Sequence, residues 1–181
     1  AQINIPWWRE QSYYDEPGRG TYKRDGGGVL ISQAIHTLDL AISLLGDVKD
    51  VMVMAETTKF HKMESENFVT GGIKFKNSVI ASLFASTSVF PGSSESIILH
   101  CENATVKLEA GTLIINWRNG EKEEYGEESG TGGSADPMAF PFDWHKDLIL
   151  NFAKSISTNE RFEITGKEAL KVHYLIDAMI E

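Results

Sequence analysis

One segment of this 181-residue chain carries polar side chains at helical spacing. Successive members are four, three and four positions apart, which places them on one face of an α-helix: Ser32, His36, Asp39 and Ser43. Imidazole is the side chain that most readily exchanges a proton near neutral pH, so His36 is a candidate acid–base catalyst that Asp39 could orient. Ser32 and Gln33 offer hydrogen bonds to a polar substrate. A surface or packing role for this histidine is the alternative.

The helix that must hold these residues is marked by apolar side chains on its opposite face. They recur from about Gly28 to Leu45, and Gly46 ends the helix. Gly26, Gly27 and Gly28 precede it, and consecutive glycines are unfavourable inside a helix, so they predict a tight turn or a close backbone approach. The approaching group is either a ligand or a neighbouring strand.

The segment GGGVLISQAIHTLDL resembles the substrate-domain helix of the glucose-fructose oxidoreductase and inositol dehydrogenase family. Its members are two-domain, nicotinamide-dependent sugar oxidoreductases. YYDEPGRGTYKRD resembles the segment that enters this helix, and FDWHKDLILNFAKSI and FEITGKEALKVHYLIDAMI resemble the closing helical pair. The resemblance implies that His36 lies at the hydride-transfer centre, bonded to the hydroxyl that becomes a carbonyl. It also implies substrate contacts for Arg19, in the Arg-Gly-Thr element, and for His145.

Two positions depart from the family pattern. Many members carry an aspartate where this chain has Ser32, and Ser32 cannot act as a carboxylate base. The variant SQAIHT is similar to that of branches acting on nucleotide-linked sugars and sugar acids. Gly18 stands where relatives often have a bulky aromatic residue, which alters the expected pocket wall.

An aromatic and basic group near the N-terminus predicts a wall that faces a sugar. Aromatic faces cover the apolar side of a pyranose, and arginine contacts a carboxylate or phosphate at two points. From this group Trp8, Tyr14 and Arg19 are candidate substrate-binding residues. Its members are Trp7, Trp8, Arg9, Tyr13, Tyr14 and Arg19.

The cofactor-binding half of such an enzyme is expected outside this chain. No G-x-G-x-x-G pattern follows an apolar strand here, so no residue is assigned to a cofactor, and the Glu-Lys-Pro motif of the family is also missing. We expect NAD or NADP to bind an N-terminal Rossmann domain of the same polypeptide. The chain begins at Ala1 and stops within a helical pattern, which also suggests a piece of a two-domain enzyme.

Composition narrows the classes of protein. With 181 residues, 41% of them hydrophobic, the chain can form one domain, 1–181. A net charge of -9 disfavours nucleic acids and anionic membranes as partners. No apolar run reaches about 20 residues, so no membrane span is predicted. Cys101 is the only cysteine and is predicted to be buried; this is compatible with the cytoplasm, and no metal site is predicted.

Segments rich in β-branched and aromatic residues follow the first helix and predict a mostly antiparallel sheet. With helices on one face, this is an α+β fold, and the resemblance implies a dihydrodipicolinate-reductase-like C-terminal domain. The open face predicts a homodimer or homotetramer, although a half-solvated sheet needs no partner. The predicted strands are Gln2 to Trp8, Val48 to Thr57, Phe68 to Phe75, Val79 to Val89, Ser96 to Cys101, Ala104 to Glu109 and Thr112 to Trp117.

Two further elements close the chain. Gly126 to Ala139 predicts a flexible loop or, alternatively, a lid over bound sugar. The next helix is expected to begin at Pro141, and its predicted buried side consists of Trp144, Leu148, Phe152 and Ile156. Thr165 and Glu168 form a capping-box pattern for the last helix.

Together these features predict the substrate domain of a nicotinamide-dependent dehydrogenase. Such an enzyme would oxidise a secondary hydroxyl of a sugar, nucleotide sugar or cyclitol, and this domain alone would be inactive without the cofactor domain. The alternative is a non-catalytic sugar-binding or assembly module, which the serine at position 32 favours slightly.

Overall fold

A single open sheet, with helices against one face, forms the frame of this protein. The computed structural model describes residues 1–127, 142–162 and 164–181. Its strands are β1 (Gln2–Pro6), β2 (Val48–Glu56), β3 (Phe68–Phe75), β4 (Ile80–Ser86), β5 (Ser96–His100), β6 (Ala104–Glu109), β7 (Thr112–Trp117) and β8 (Lys122–Tyr125). Its helices are α1 (Gln11–Tyr14), α2 (Tyr22–Asp25), a π-helical turn (Leu30–Ala34), α3 (Ile35–Leu45), α4 (Asp143–Thr158) and α5 (Gly166–Ile180).

The sheet order is β2-β3-β4-β1-β5-β6-β7-β8. The strand β1 lies in the middle, parallel to β4 and antiparallel to β5, while the remaining neighbours pair antiparallel. Short hairpins join β3 to β4 and each neighbouring pair from β5 to β8, and a chain that reverses within a few residues must return antiparallel beside itself. The predicted α+β sheet is therefore confirmed, and each predicted strand has a counterpart within a few residues.

The core lies between the sheet and the helices α3 and α5. Alternate residues of the central strands, such as Ile3, Ile5 and Leu83, are buried there, as is Leu38 of α3. The outward residues of β2 are different, because Met52 is 84% exposed on the opposite face of the sheet. The structure thus has one covered face and one open face.

The segment Tyr22–Leu45 is long and apolar enough to cross a membrane by length and composition alone. Its core-facing side chains, such as Leu30, Ala34 and Leu38, are instead packed against the sheet with no exposed surface, while Leu40 and Leu44 are exposed. This is the pattern of a core helix.

The predicted helix from Gly28 to Leu45 begins with a π-helical turn, Leu30–Ala34, instead of a regular α-helical turn. Apolar periodicity indicates which side of a helix is buried, but it does not distinguish hydrogen bonds that span four residues from those that span five. The expected exposure is unaffected, since Ser32, His36 and Asp39 all face outward.

The predicted buried side of α4 is wrong for the side chains that the structure describes. Leu148, Phe152 and Ile156 are exposed, with Ile156 at 68%. The side chain of Trp144, Pro141 and most of the predicted loop or lid lie outside the described residues. The spacing correctly marks an apolar face, but spacing does not tell whether the surface that covers it belongs to this chain. The Thr165 cap is confirmed, since its Oγ1 accepts a hydrogen bond from the backbone N–H of Glu168.

Cys101 is exposed, so its predicted burial is wrong. The strand β5 ends at His100, and Cys101 lies beyond it in the connection to β6, where alternation no longer sets which side is covered.

Candidate functional site

His36 lies at the start of α3 and lines a groove of about 320 Å³, which we call the His36 groove. Thr37 and Leu40 of α3 line it as well, residues 95–97 at the start of β5 form the second wall, and residues 108–111 of the β6–β7 hairpin form the third. The groove therefore brings an imidazole and a hydroxyl from one helix against a strand end that the sequence separates from them by some sixty positions.

Glu95 supplies the carboxylate of the second wall. Its Oε2 accepts a hydrogen bond of 2.9 Å from the indole Nε1 of Trp7, so the position of this side chain is fixed. Leu40, Ile97 and Leu108 give the groove apolar surface. An apolar cleft with a few oriented polar groups is the usual form of a small-molecule site.

The first turn of the helix is held by Glu66, which is only 5% exposed. Its Oε2 accepts a hydrogen bond from the backbone N–H of Gly28 (3.0 Å) and its Oε1 accepts one from Leu30 (3.1 Å). Its backbone oxygen accepts a third, of 2.8 Å, from Val29. Glu66 thus caps the free N–H groups and suits the positive end of the helix dipole. The group that approaches the glycine run is this segment of the chain.

Replacing Glu66 with glutamine tests this cap. Burial raises the pKa of the Glu66 carboxyl above its ordinary value, partly opposed by the N–H groups of Leu30 and Gly28. The folded state holds the proton more tightly than the unfolded state. The carboxyl's contribution to the free energy of unfolding therefore decreases as pH rises from the ordinary pKa of the unfolded state through the raised pKa of the folded state. Glu66→Gln removes this dependence and turns one N–H acceptor into a donor, which costs about 1–3 kcal/mol.

We therefore expect the difference in unfolding free energy between wild type and Glu66→Gln to be wider in mild acid than at neutral pH. Urea unfolding at a series of pH values measures it. Glu64→Gln is the control, because Glu64 is exposed. A gap that stays constant, or that widens toward neutral pH, contradicts the assignment.

Arg19 takes part in a stack of aromatic rings and guanidinium groups. Its Cζ lies 4.4 Å from the ring centroid of Tyr13, and that of Arg9 lies 5.3 Å from the same centroid. Arg9 also lies over the ring of Trp7, at 4.9 Å. Arg19 donates to the Tyr13 hydroxyl and pairs with Glu16, each at 3.1 Å. Through Trp7 this stack is continuous with Glu95.

The other sequence candidates from the wall are placed differently. Tyr14 is 8% exposed, and its hydroxyl lies 2.7 Å from the Thr87 hydroxyl, so its ring is packed in the core. Trp8 is half-buried, donates to Glu10 and meets the ring of Phe90 edge-on at 5.4 Å. It therefore lies at the surface end of the aromatic group.

Gln33 and His145, two other predicted substrate contacts, do not line the His36 groove. Gln33 is buried next to the helix start, and its amide has no hydrogen-bond partner among the described residues. His145 is exposed on α4 and is not part of the lining of the His36 groove. In the described part of the chain, no group of three His, Cys, Asp or Glu side chains is placed to hold a metal ion.

Sequence reasoning missed Glu66 and Glu95 because their partners are distant along the chain. Glu66 meets Gly28 across 38 positions and Glu95 meets Trp7 across 88. The glycine run was the only sequence signal for the first contact, and it identified the approach without naming the group that makes it.

The comparisons with known proteins identify the family and the fold. The model of the GFO/IDH/MocA C-terminal domain matches residues 1–107. The comparison with curated proteins gave no match. Among solved structures, WlbA dehydrogenase from Chromobacterium violaceum, in complex with NADH and UDP-GlcNAcA, is 26% identical with a TM-score of 0.70, and the match covers 99% of this chain and 50% of that one.

Two other solved structures share the fold. WlbA dehydrogenase from Bordetella pertussis is 23% identical with a TM-score of 0.73, over 99% of this chain and 51% of that one. UDP-N-acetylglucosamine 3-dehydrogenase GnnA from Acidithiobacillus ferrooxidans is 18% identical with a TM-score of 0.66, over 99% and 51% of the two chains. This chain spans about half the length of each of these proteins.

Proposed function

This chain belongs to the GFO/IDH/MocA C-terminal domain family, and from that premise we propose that it is the substrate-binding and oligomerisation domain of a nicotinamide-dependent sugar dehydrogenase. The observation that carries the proposal is the exposed His36 on a rigid helix, facing an apolar groove with a fixed carboxylate. The reaction is the oxidation of a secondary hydroxyl of a sugar, nucleotide sugar or cyclitol.

In the proposed reaction His36 takes the proton of the substrate hydroxyl as the carbonyl forms. An oxidised nicotinamide held by the N-terminal cofactor domain would supply the acceptor for the hydride of the same carbon. Asp39, one turn further along α3, orients the helix face or the imidazole, and the exposed Ser32 offers a hydrogen bond on the same helix face, whereas Gln33 is buried and would reach a substrate only if its side chain moved. Because the helix is capped by Glu66 and packed on the sheet, His36 is held in place before substrate arrives.

The glycine turn of this chain does not fit a dinucleotide. A pyrophosphate needs free N–H groups at a helix N-terminus, and here those of Gly28 and Leu30 already bond the carboxyl of Glu66. We therefore assign NAD or NADP to an N-terminal cofactor domain. The exposed apolar side chains of α4, such as Phe152 and Ile156, supply a surface for such a partner.

Nucleotide sugars are the substrate class that the charged residues favour. Arg9 and Arg19 flank the ring of Tyr13 and can meet the phosphates, while the sugar ring extends past Trp7 to His36. The complex of the Chromobacterium violaceum relative with UDP-GlcNAcA supports this class. We place the enzyme in the cytoplasm, with neither nucleic acid nor membrane as a partner.

The direct test uses the protein encoded by the complete gene. We expect it to form NADH or NADPH from NAD⁺ or NADP⁺ when UDP-linked hexosamines are supplied, as followed by absorbance. Binding of these sugars without any cofactor reduction would favour the non-catalytic module, for which the serine at position 32 is the supporting observation. The absence of both binding and turnover would overturn the proposal.

The open face of the sheet is proposed to form a homo-oligomer interface. Met52 and Met54 are 84% and 68% exposed there, and Phe68 and Phe84 lie beside them as an edge-to-face pair. Such a patch is typical of an interface.

We expect Met52→Lys with Met54→Lys to convert a dimer or tetramer to monomer in sedimentation velocity. Leu44→Lys, an exposed position on α3, is the control. A wild-type protein that stays monomeric at high concentration contradicts the interface.

A further inference from the structure

The charge of the His36 groove is one-sided. Its wall residues include the carboxylates of Glu95 and Glu109, and no lysine or arginine is among the residues that line it in the described part of the chain. The carboxylate of Glu109 is already compensated, since it lies 2.6 Å from the Nζ of Lys107. Glu95 is therefore the negative charge that a ligand in this groove meets.

Glu95 is also prepared to bind a hydrogen-bond donor. The indole of Trp7 holds its Oε2 at 2.9 Å, and its Oε1 has no hydrogen-bond partner among the described residues. Trp7 is itself held, because the guanidinium of Arg9 lies over its ring at 4.9 Å. A carboxylate fixed in this way accepts hydrogen bonds from hydroxyl or amide groups without a further cost of ordering.

An acidic group on the ligand would meet the opposite situation. A carboxylate on a sugar ring seated at His36 would lie within several ångströms of Glu95, and at such a distance two like charges near a protein surface repel strongly enough to lower affinity about tenfold or more. Hydroxyl groups in the same place gain a bond instead.

We propose that Glu95 determines substrate specificity by selecting an uncharged, hydroxyl-rich sugar ring and rejecting a ring that bears a carboxylate. The inference rests on the proposed function, because it takes His36 as the place where the ring sits. It assigns the neutral sugar ring to the part of the site where Glu95 supplies a carboxylate with no cationic side chain among the described lining residues.

Two probes that differ in the group on C6 test this selectivity, UDP-GlcNAc with a hydroxymethyl group and UDP-GlcNAcA with a carboxylate. Their dissociation constants are measured by titration calorimetry with the full-length protein in the presence of NADH, which prevents oxidation. We expect the dissociation constant of the neutral sugar to be lower than that of the acid by a factor of about ten or more. In Glu95→Gln the ratio should approach one, because the amide keeps an acceptor for Trp7 and removes the charge.

Two variants serve as controls. Glu95→Asp keeps the charge and should keep the preference, and Glu109→Gln changes a carboxylate that Lys107 already compensates and should leave the ratio unchanged. Equal affinity for the two sugars in wild type, or an unchanged ratio in Glu95→Gln, overturns the selectivity and leaves the proposed function standing. If neither sugar binds, the nucleotide-sugar substrate class is overturned, and this inference with it.

Discussion

Gly28→Ala should prevent this protein from folding. A Cβ placed on Gly28 would lie 1.8 Å from the backbone oxygen of Glu66 and 2.7 Å from its carbonyl carbon. Backbone atoms cannot move aside as a flexible side chain can, so the helix would have to leave Glu66. That would break the bonds which Glu66 makes to Gly28, Val29 and Leu30. The cost is several kcal/mol, a large share of the about 5–15 kcal/mol that stabilises a typical domain.

Gly26→Ala is the matched control for this prediction. Gly26 has a φ of +81° and no atom within 4 Å of an added Cβ, so alanine there meets only the backbone preference. That preference costs about 1 kcal/mol, or a loss of about 2–4 °C in Tm for a chain of this size. Thermal unfolding followed by circular dichroism compares the two variants. Equal losses of Tm would mean that the close approach of Glu66 is not the reason why position 28 requires glycine.

The helix of His36 could be predicted from sequence because its information is local. The apolar spacing, the glycines before it and Gly46 after it lie within one short segment, and the four polar residues are exposed as predicted. The strands were predictable for the same reason, since alternation and short hairpins are local features. What the segment could not contain was the buried carboxyl of Glu66, whose role appears only when the chain folds back.

The predictions that failed concern surfaces. The apolar spacing on α4 is real, yet Leu148 and Phe152 are 41% and 51% exposed, and the ring of Phe162, 5.3 Å from that of Phe152, covers only part of this face. Tyr14 was predicted to face a sugar, and its ring is instead buried, with its hydroxyl bonded to Thr87, 73 positions away; its contact with substrate stays a prediction. In both cases the sequence gives the type of residue but not its neighbours in space, because tertiary packing sets those neighbours.

The candidate site was predictable in part. His36 was located by its helix, but the groove that gives it a substrate surface is built by β5 and the β6–β7 hairpin, far along the chain. Glu95 enters through its bond to Trp7, and no spacing rule connects those two residues. A candidate catalytic residue can therefore be located from a local motif, whereas the residues proposed to contact its substrate are brought together by the sheet.

His36→Asn should lower kcat of the complete enzyme by about 10²–10⁴-fold, the usual contribution of a positioned acid–base group. Asparagine keeps a hydrogen bond to the substrate hydroxyl but cannot take its proton. His36 is exposed and makes no hydrogen bond or ion pair to another described residue, so the variant should unfold at the wild-type Tm. Its affinity for the sugar in the presence of NADH should change little. A loss in kcat with nearly constant KM is the expected signature.

His100→Asn is the control for this experiment, since His100 is exposed at the end of β5 and does not line the His36 groove. It should leave both kinetic constants unchanged. A His36→Asn enzyme with wild-type kcat at saturating cofactor and sugar would remove His36 from the chemistry, and the groove would then have to be assigned to binding alone. A fall in kcat confined to His36→Asn would assign the proton transfer to His36. The contacts of Glu66 and the sheet with the start of this helix would then serve to hold the imidazole in position for the reaction.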